Sequence, residues 1–411
     1  MQIHVPFHLK HKKHKEKDTG SDVTASKTPE ELRVVVYIMY FFFTLHYVFP
    51  LYINSNFLNT LISDTATSIA FAIAAVLAIA TMSAVARALP KFGNFYTTLA
   101  LIIAEIIAIG ILAIQSAPTW ILISAFMAHW LLTAVIRFNL DVFLEKFTDN
   151  SKTGEIRGTL VTLTYIAFLI GPLIAGFVAN NDAFWQIYLI SGIVILPLLT
   201  ILLSKFKDFP DSDYANTTLW KSLKKVWQDI NVRFILGAML ILHIFYAMMV
   251  VYTPIYLHQY VGLSFSSIGI IFSIMLIPFV LLGRPLGEIS DRYLGEKELL
   301  IAGFIIAAFF TALLAFITST EIWVWGALLF GTRIGATMIE VMSDGYFFKQ
   351  VESFDTDELS VLRMIRPFAY IVAPVIASVI LLLAPFHFIF FGAAVLLLIG
   401  ALITLPIVDT L

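Results

Sequence analysis

The chain has 411 residues, 59% of them hydrophobic and only 13% charged, with a net charge of -2 and no cysteine. Soluble domains carry roughly 25% charged residues, so the composition excludes a solvated globular protein and makes lipid the solvent. The near-neutral charge gives no footing for nucleic acid, and the missing thiols exclude disulfides and thiol chemistry.

In chain order, residues 1–32 form a polar, basic cytoplasmic tail, disordered over 1–30, in which His8, His11 and His14 stand three apart among lysines. A solvated tail near anionic headgroups fits this stretch better than a metal catch. The first apolar run begins at Val34 and lacks a small-residue cleavage site, so it reads as a retained span rather than a signal peptide. A span needs about 20 apolar residues to cross roughly 30 Å of hydrocarbon. Twelve such stretches follow, at 34–54, 66–88, 95–115, 119–143, 158–180, 184–203, 233–257, 265–286, 298–318, 322–346, 361–383 and 385–406. The connection 205–232 divides them into two six-helix bundles, 33–204 and 233–411. Within it Leu219, Trp220, Leu223, Val226, Trp227 and Ile230 keep helical spacing around Lys221, Lys224 and Lys225, which predicts an amphipathic helix on the membrane surface. The connections on the opposite side, such as 55–65, 116–118 and 258–264, contain no Lys or Arg. That asymmetry places both termini in the cytoplasm, in a cell (inner or plasma) membrane. Of the basic residues only Arg137 and Arg333 lie deep in spans.

The halves repeat. Pro50-Leu51-Tyr52-Ile53 returns as Pro254-Ile255-Tyr256-Leu257, Trp120 and Asp141 return as Trp323 and Asp344, Lys146 as Lys349, and Gly171-Pro172 as Ala373-Pro374, all at an offset of 202–204. An internal duplication of this length predicts two pseudo-symmetric bundles around a central cavity. It also supplies a depth scale. At about 1.5 Å per residue the 21 residues from Trp120 to Asp141 span roughly 32 Å, with the tryptophan at one interface and the aspartate at the other. The midplane then falls near 130 on span 4 and 333 on span 10, and near His46 and His243 on spans 1 and 7.

Gly283-Arg284-Pro285-Leu286-Gly287-Glu288-Ile289-Ser290-Asp291-Arg292-Tyr293-Leu294-Gly295-Glu296-Lys297 connects spans 8 and 9. This segment resembles the G-x-x-x-D-R-x-G-x-[KR] loop signature of the major facilitator superfamily, with one residue inserted before Gly295 and an acid at Glu296. The equivalent loop between spans 2 and 3, Arg87 to Gly93, keeps the glycine and lacks the Asp-Arg pair. Physically, Gly287 permits close helix approach, Asp291 is placed to accept backbone N–H groups at a helix start, and Arg292 can pair with Asp344 or Glu340. The resemblance implies that span 5, near Gly158, supplies that helix start. It also implies that the loop holds the cytoplasmic side shut and that spans 1, 4, 7 and 10 line the cavity. In span 5, Gly158, Ala167, Gly171-Pro172 and Ala175-Gly176 resemble the glycine–proline motif of the superfamily's antiporters. Small residues allow tight contact and the proline a kink.

Ionisable groups at mid-depth default to a functional reading. They are His46, His129, His243 and Arg333 on the cavity-lining spans, and Glu105 on span 3. Arg333 keeps its charge and needs an anion, supplied by Glu340, by Glu105 or by the substrate. Arg137 with Asp141, and Glu340 with Asp344, each lie one turn apart, and the repeat sets Arg137 against Glu340. An ionic network bridging the halves is expected there. Neither a P-loop, nor a nucleophile with its base, nor metal-ligand spacing occurs, so the chain reads as no enzyme, without cofactor or resident metal. The expected function is a secondary transporter of a small organic solute, working by alternating access as a monomer in the bilayer. Its coupling ion is a proton carried by the histidines or by Glu105 or Glu340, and the span 5 motif favours efflux. A symporter importing a small polar or anionic nutrient is the alternative that Arg333 favours, and a non-transporting receptor or scaffold is the alternative of another class.

Overall fold

The computed structural model describes residues 4–6, 29–147, 153–179, 183–209, 211, 216–218, 228–350 and 356–408. Among the described residues ten helices are long and apolar enough to cross a membrane, and a shorter apolar helix, Phe388–Thr404, follows them. One of the ten, Asp64–Ala113, has 50 residues and leaves helical geometry at Gly93, with φ 74° and ψ 164°. A straight helix of that length would run about 75 Å, more than twice the membrane core, so the break makes two spans of it and the total is twelve.

The observed spans begin with span 1, Pro29–Leu51 continued by Asn54–Asn59. Spans 2 and 3 share Asp64–Ala113, and spans 4 to 6 are Thr119–Lys146, Thr153–Val178, and Phe184–Val194 with Leu196–Lys205. Span 7 is Ile230–Ile255 with a π-turn at Tyr256–Tyr260, and span 8 is Phe265–Leu281 with Gly283–Ile289. Spans 9 to 12 are Gly295–Leu314, Ile322–Gln350, Thr356–Leu383 and Phe388–Thr404. The fold is an all-α polytopic membrane fold, as expected. The ends of spans 1 and 12 and the central connection share one side, termed here the terminal face; the opposite side is the far face.

The duplication is visible in the backbone. Spans 2 and 8 both start on a serine N-cap, with Ser63 accepting from Ala66 N and Ser264 from Ser267 N. Pro50 and Pro254 each precede a break at the far end of their span, because proline removes a helical N–H. The span 2–3 and 8–9 connections turn on Gly93 and Gly295, at φ 74° and 72°, a left-handed conformation cheap only for glycine. The extra residue before Gly295 is absorbed by a π-turn, Ser290–Leu294, the usual way a helix accepts one residue too many.

At Gly93 the central connection docks. Asp211 accepts from Asn94 N at 2.8 Å, capping the start of span 3. A Cβ on Gly93 would lie 2.1 Å from Asp211 Oδ2. Gly93→Ala is therefore expected to cost about 1–2 kcal/mol in backbone conformation and to dislodge Asp211. A fall in melting temperature in detergent larger than that of Asp211→Ala checks this.

The tail departs from the expectation of disorder over 1–30 in one place. His4–Pro6 pairs antiparallel with Asn216–Thr218 of the central connection, His4 opposite Thr218, which satisfies backbone groups of both segments. His8, His11, His14 and the expected amphipathic helix over 219–227 lie outside the described residues. Trp120 and Trp323 are 69% and 73% exposed, as suits matched aromatic anchors at one lipid interface.

Candidate functional site

Inside the first bundle a polar cluster joins four spans. Glu105 on span 3 accepts on Oε1 from His46 Nε2 of span 1 at 2.9 Å and from His129 Nδ1 of span 4 at 2.5 Å. His46 Nδ1 lies 2.9 Å from the Ser191 carbonyl and 2.8 Å from its Oγ, and that hydroxyl donates to the His46 carbonyl at 2.7 Å. His46 and Glu105 are fully buried and His129 is nearly so. Proton counting follows from these contacts. Both Ser191 oxygens act as acceptors toward Nδ1, so Nδ1 carries a hydrogen. Nε2 faces the same carboxylate oxygen that His129 addresses, so a proton lies between Nε2 and Oε1, on one atom or the other. The cluster thus has a place for one proton more than two neutral imidazoles and a carboxylate carry. Two histidines and a carboxylate are also a donor set a metal can use. Ligands on a tetrahedral zinc, each about 2.0–2.2 Å from the metal, stand about 3.3 Å apart, however. The separations of 2.5 and 2.9 Å from Glu105 Oε1 are hydrogen-bond lengths instead.

His243 does not join this cluster. It lies on span 7, half-buried, with Nδ1 donating to the Met239 carbonyl at 2.9 Å. The three histidines do not share one site, because span 7 belongs to the other bundle.

Between the bundles lies a second polar layer. Arg333 on span 10 is 2% exposed, and its Nη1 has no hydrogen-bond partner. Its guanidinium carbon stands 5.3 Å from the Phe245 ring centre and 5.4 Å from that of Tyr246. The two acids expected to neutralise it are engaged elsewhere. Glu105 belongs to the histidine cluster. Glu340, two turns along span 10, accepts from Tyr246 at 2.7 Å and from Tyr165 of span 5 at 2.8 Å. Tyr246 thus lies between arginine and carboxylate, its ring beside one and its hydroxyl on the other. Arg137 likewise stays in its own half. It hydrogen-bonds the Tyr47 hydroxyl and sits beside Asp141, which in turn accepts from Tyr40. No Arg137–Glu340 ion pair occurs among the described residues; the halves are instead linked here by the Tyr165–Glu340 hydrogen bond. Trp130 meets Tyr370 of span 11 edge-on at 5.1 Å.

Arg366 was missed by sequence reasoning. It lies on span 11 and is exposed, yet its charge acts on Tyr47, Tyr165, His243 and Tyr370, on four different spans. A residue whose charge reaches three other spans faces the central interface, not lipid. A usable signal existed: Arg366 continues the 3–4 spacing of Ala369, Ala373 and Ala377, all fully buried, so it shares their packed face.

Toward the far face the halves are closed by Tyr252 donating to Ser68 at 2.6 Å, Tyr260 to Asp64 at 3.3 Å, and ring contacts Tyr52–Phe272 and Phe184–Phe265 at 4.8 and 5.4 Å. Spans 5 and 8 cross there on glycines: a Cβ on Gly269 would lie 2.5 Å from Pro172 O and 3.0 Å from Gly176 Cα. Gly171 meets span 1, where a Cβ would lie 2.3 Å from Val48 Cγ1. Toward the terminal face Asp344 and Arg366 are exposed, and Arg137, Asp141 and Glu340 partly so.

The 8–9 connection is tied differently from the expectation. Glu296, which takes the place of a base, is nearly buried and accepts from Lys349 at the end of span 10. The acid–base order of the loop is inverted, and span 10 supplies the missing cation. Gly287 does not support a close helix approach here: a Cβ on it would meet nothing within 4 Å. The side chains of Asp291 and Arg292 and the surroundings of Gly158 lie outside the described residues.

Comparison with known proteins agrees with this geometry. The family model of the Major Facilitator Superfamily matches residues 30–349. An uncharacterized MFS-type transporter of Bacillus subtilis, YuxJ, is 26% identical over 288 residues, covering 66% of this chain and 72% of that protein. Among solved structures, a bacterial homolog of the human lysosomal transporter Spinster, inward-facing and unoccupied, superposes with a TM-score of 0.72 at 11% identity, covering 92% and 97% of the two chains. A structure from work on substrate recognition in proton-dependent oligopeptide transporters gives 0.71 at 12% identity, covering 92% and 98%.

Proposed function

The chain belongs to the major facilitator superfamily of membrane transporters, and we propose that it is a proton-coupled secondary transporter whose coupling site is the His46–Glu105–His129 cluster. The single observation that carries this is the geometry of that buried cluster, in which one carboxylate oxygen meets two histidine nitrogens at 2.9 and 2.5 Å. With its proton, every contact of His46 pairs a donor with an acceptor. Without it, a nitrogen lone pair faces a carboxylate across 2.9 Å, or the ring turns over its hydrogen and abandons Ser191. Each unsatisfied buried group costs about 1–3 kcal/mol, enough to shift a two-state equilibrium by about 5–150-fold. Span 1 bears that cost, and span 1 also carries Tyr47 and Tyr52 into the central layer. Proton release and the shape of the central site are thereby linked, with the bundles rocking about the site.

The distribution of Lys and Arg favours a cytoplasmic terminal face, the side on which Asp344 and Arg366 are exposed. The direction favoured is export, on the span 5 motif, since Pro172 and Gly176 form the contact that closes the far face. Import of an anionic nutrient is the second reading, favoured by the bare Arg333. Flux in proteoliposomes under an imposed pH gradient tests coupling and direction together, and absence of counterflow for any solute would point to a non-transporting receptor.

Closing the terminal face would carry Arg137 toward Glu340. Arg137→Glu and Glu340→Arg are each expected to abolish transport and the double exchange to restore part of it. Counterflow rates of the three variants check this, and a dead double variant removes the pair from the gate.

A further inference from the structure

Arg333 is anomalous as a structural residue. A guanidinium is always charged and presents five N–H donors, and burying such a charge without a partner costs several kcal/mol. Here one face is covered by Phe245 and Tyr246, at 5.3 and 5.4 Å, and Nη1 is buried and bare. The acid in the field of Arg333, Glu340, already accepts two tyrosine hydroxyls, and the other groups in that field are the neutral hydroxyls of Tyr52, Tyr246 and Tyr370. Neutral packing at this position would need no arginine at all. What the surroundings of Arg333 lack is an oxyanion beside Nη1, and what they offer is aromatic side chains: Tyr52, Tyr246 and Tyr370, with Trp130 against Tyr370.

The route to it carries a second cation. Arg366 is exposed toward the terminal face, whereas the deeper Arg137 is covered by Asp141 and Tyr47. An anion entering from that face meets Arg366 first and Arg333 last. Buried guanidinium with aromatic walls is a recognition chemistry for a flat, apolar molecule bearing one oxyanion group, because each part of it alone leaves either the charge or the rings unmatched.

We propose that the transported solute is an amphiphilic organic anion, with an aromatic or flat apolar body and a single carboxylate or phosphate group that Arg333 binds. This rests on the transport reading above but not on its direction. The probes are 2-naphthoate, 2-naphthyl phosphate, 2-naphthamide and 2-naphthylmethylammonium, titrated calorimetrically against the full chain in detergent. One or both anions bind, and the amide and the ammonium bind at least about tenfold more weakly; which anion binds tighter separates carboxylate from phosphate. Arg333→Gln loses at least about tenfold in anion affinity and Arg333→Lys less. Ligand-free Arg333→Gln melts higher than wild type, since it sheds an unpaired buried charge, whereas an arginine that serves only structure would melt lower when replaced. Equal binding of the neutral or cationic probe, no binding of either anion, or unchanged affinity in Arg333→Gln overturns the proposal. Failure of the parent reading looks different: anions bind through Arg333, yet proteoliposomes show no flux.

Discussion

Glu105→Gln abolishes uphill transport under an imposed pH gradient while leaving exchange of solute between equal pools intact. The side chain keeps its size, so packing is preserved, but an amide cannot exchange the proton that now lies between Glu105 and His46. One oxygen takes both histidine bonds, at 2.9 and 2.5 Å, so the carboxylate is the common partner and its loss uncouples both rings together. Accumulation falls to the passive level, and the steady-state concentration ratio, about tenfold per pH unit for one coupled proton, collapses to one. Glu105→Asp keeps coupling with reduced rate. His46→Gln and His129→Gln weaken coupling, whereas His243→Ala leaves it, because His243 contacts only its own helix backbone and the central layer. Radiolabel uptake into proteoliposomes at several internal pH values reads all of these. Persistent uphill uptake in Glu105→Gln would remove the cluster from the coupling mechanism.

Gly269→Val stops turnover by holding the far face open. The clash is backbone against backbone: its first side-chain atom falls 2.5 Å from Pro172 O and 3.0 Å from Gly176 Cα, and helix backbones cannot rotate away as a flexible side chain can. About 3 kcal/mol, the upper end of ordinary overpacking penalties, already lowers the closed population about a hundredfold. The chain contains no cysteine, so a single reporter is clean. Ser68→Cys, fully buried beside Tyr252, resists a membrane-impermeant maleimide in the parent conformation and reacts in the Gly269→Val background. Lost transport with unchanged labelling would place the defect elsewhere.

Much of the fold was legible because the repeat acts on positions that physics constrains in both halves. Gly93 and Gly295 need the same left-handed backbone, Pro50 and Pro254 the same break, and Ser63 and Ser264 the same cap. The inserted residue before Gly295 was visible as a departure from a loop signature; that it becomes a π-turn needed coordinates. The site was legible in depth and not in partnership. His46, Glu105 and His129 were placed at one level, but Glu105 was offered to Arg333, and His243 was grouped with histidines of the other bundle. Arg366 was passed over, although its alignment with the buried Ala369, Ala373 and Ala377 marks it as facing inward.

Depth is linear in residue number, since each helical residue advances about 1.5 Å along the membrane normal. Composition, span count, the matched tryptophans and the mid-membrane ionisable residues therefore followed from the chain alone. Azimuth is another matter. In water an apolar stripe tells which face of a helix is buried, but lipid tails are as apolar as a protein core, so a span carries little record of which side meets its neighbours. Which histidine shares Glu105, why Arg333 stands bare beside Tyr246, and where glycines let spans 5 and 8 touch were decided only when twelve helices took their rotations against one another.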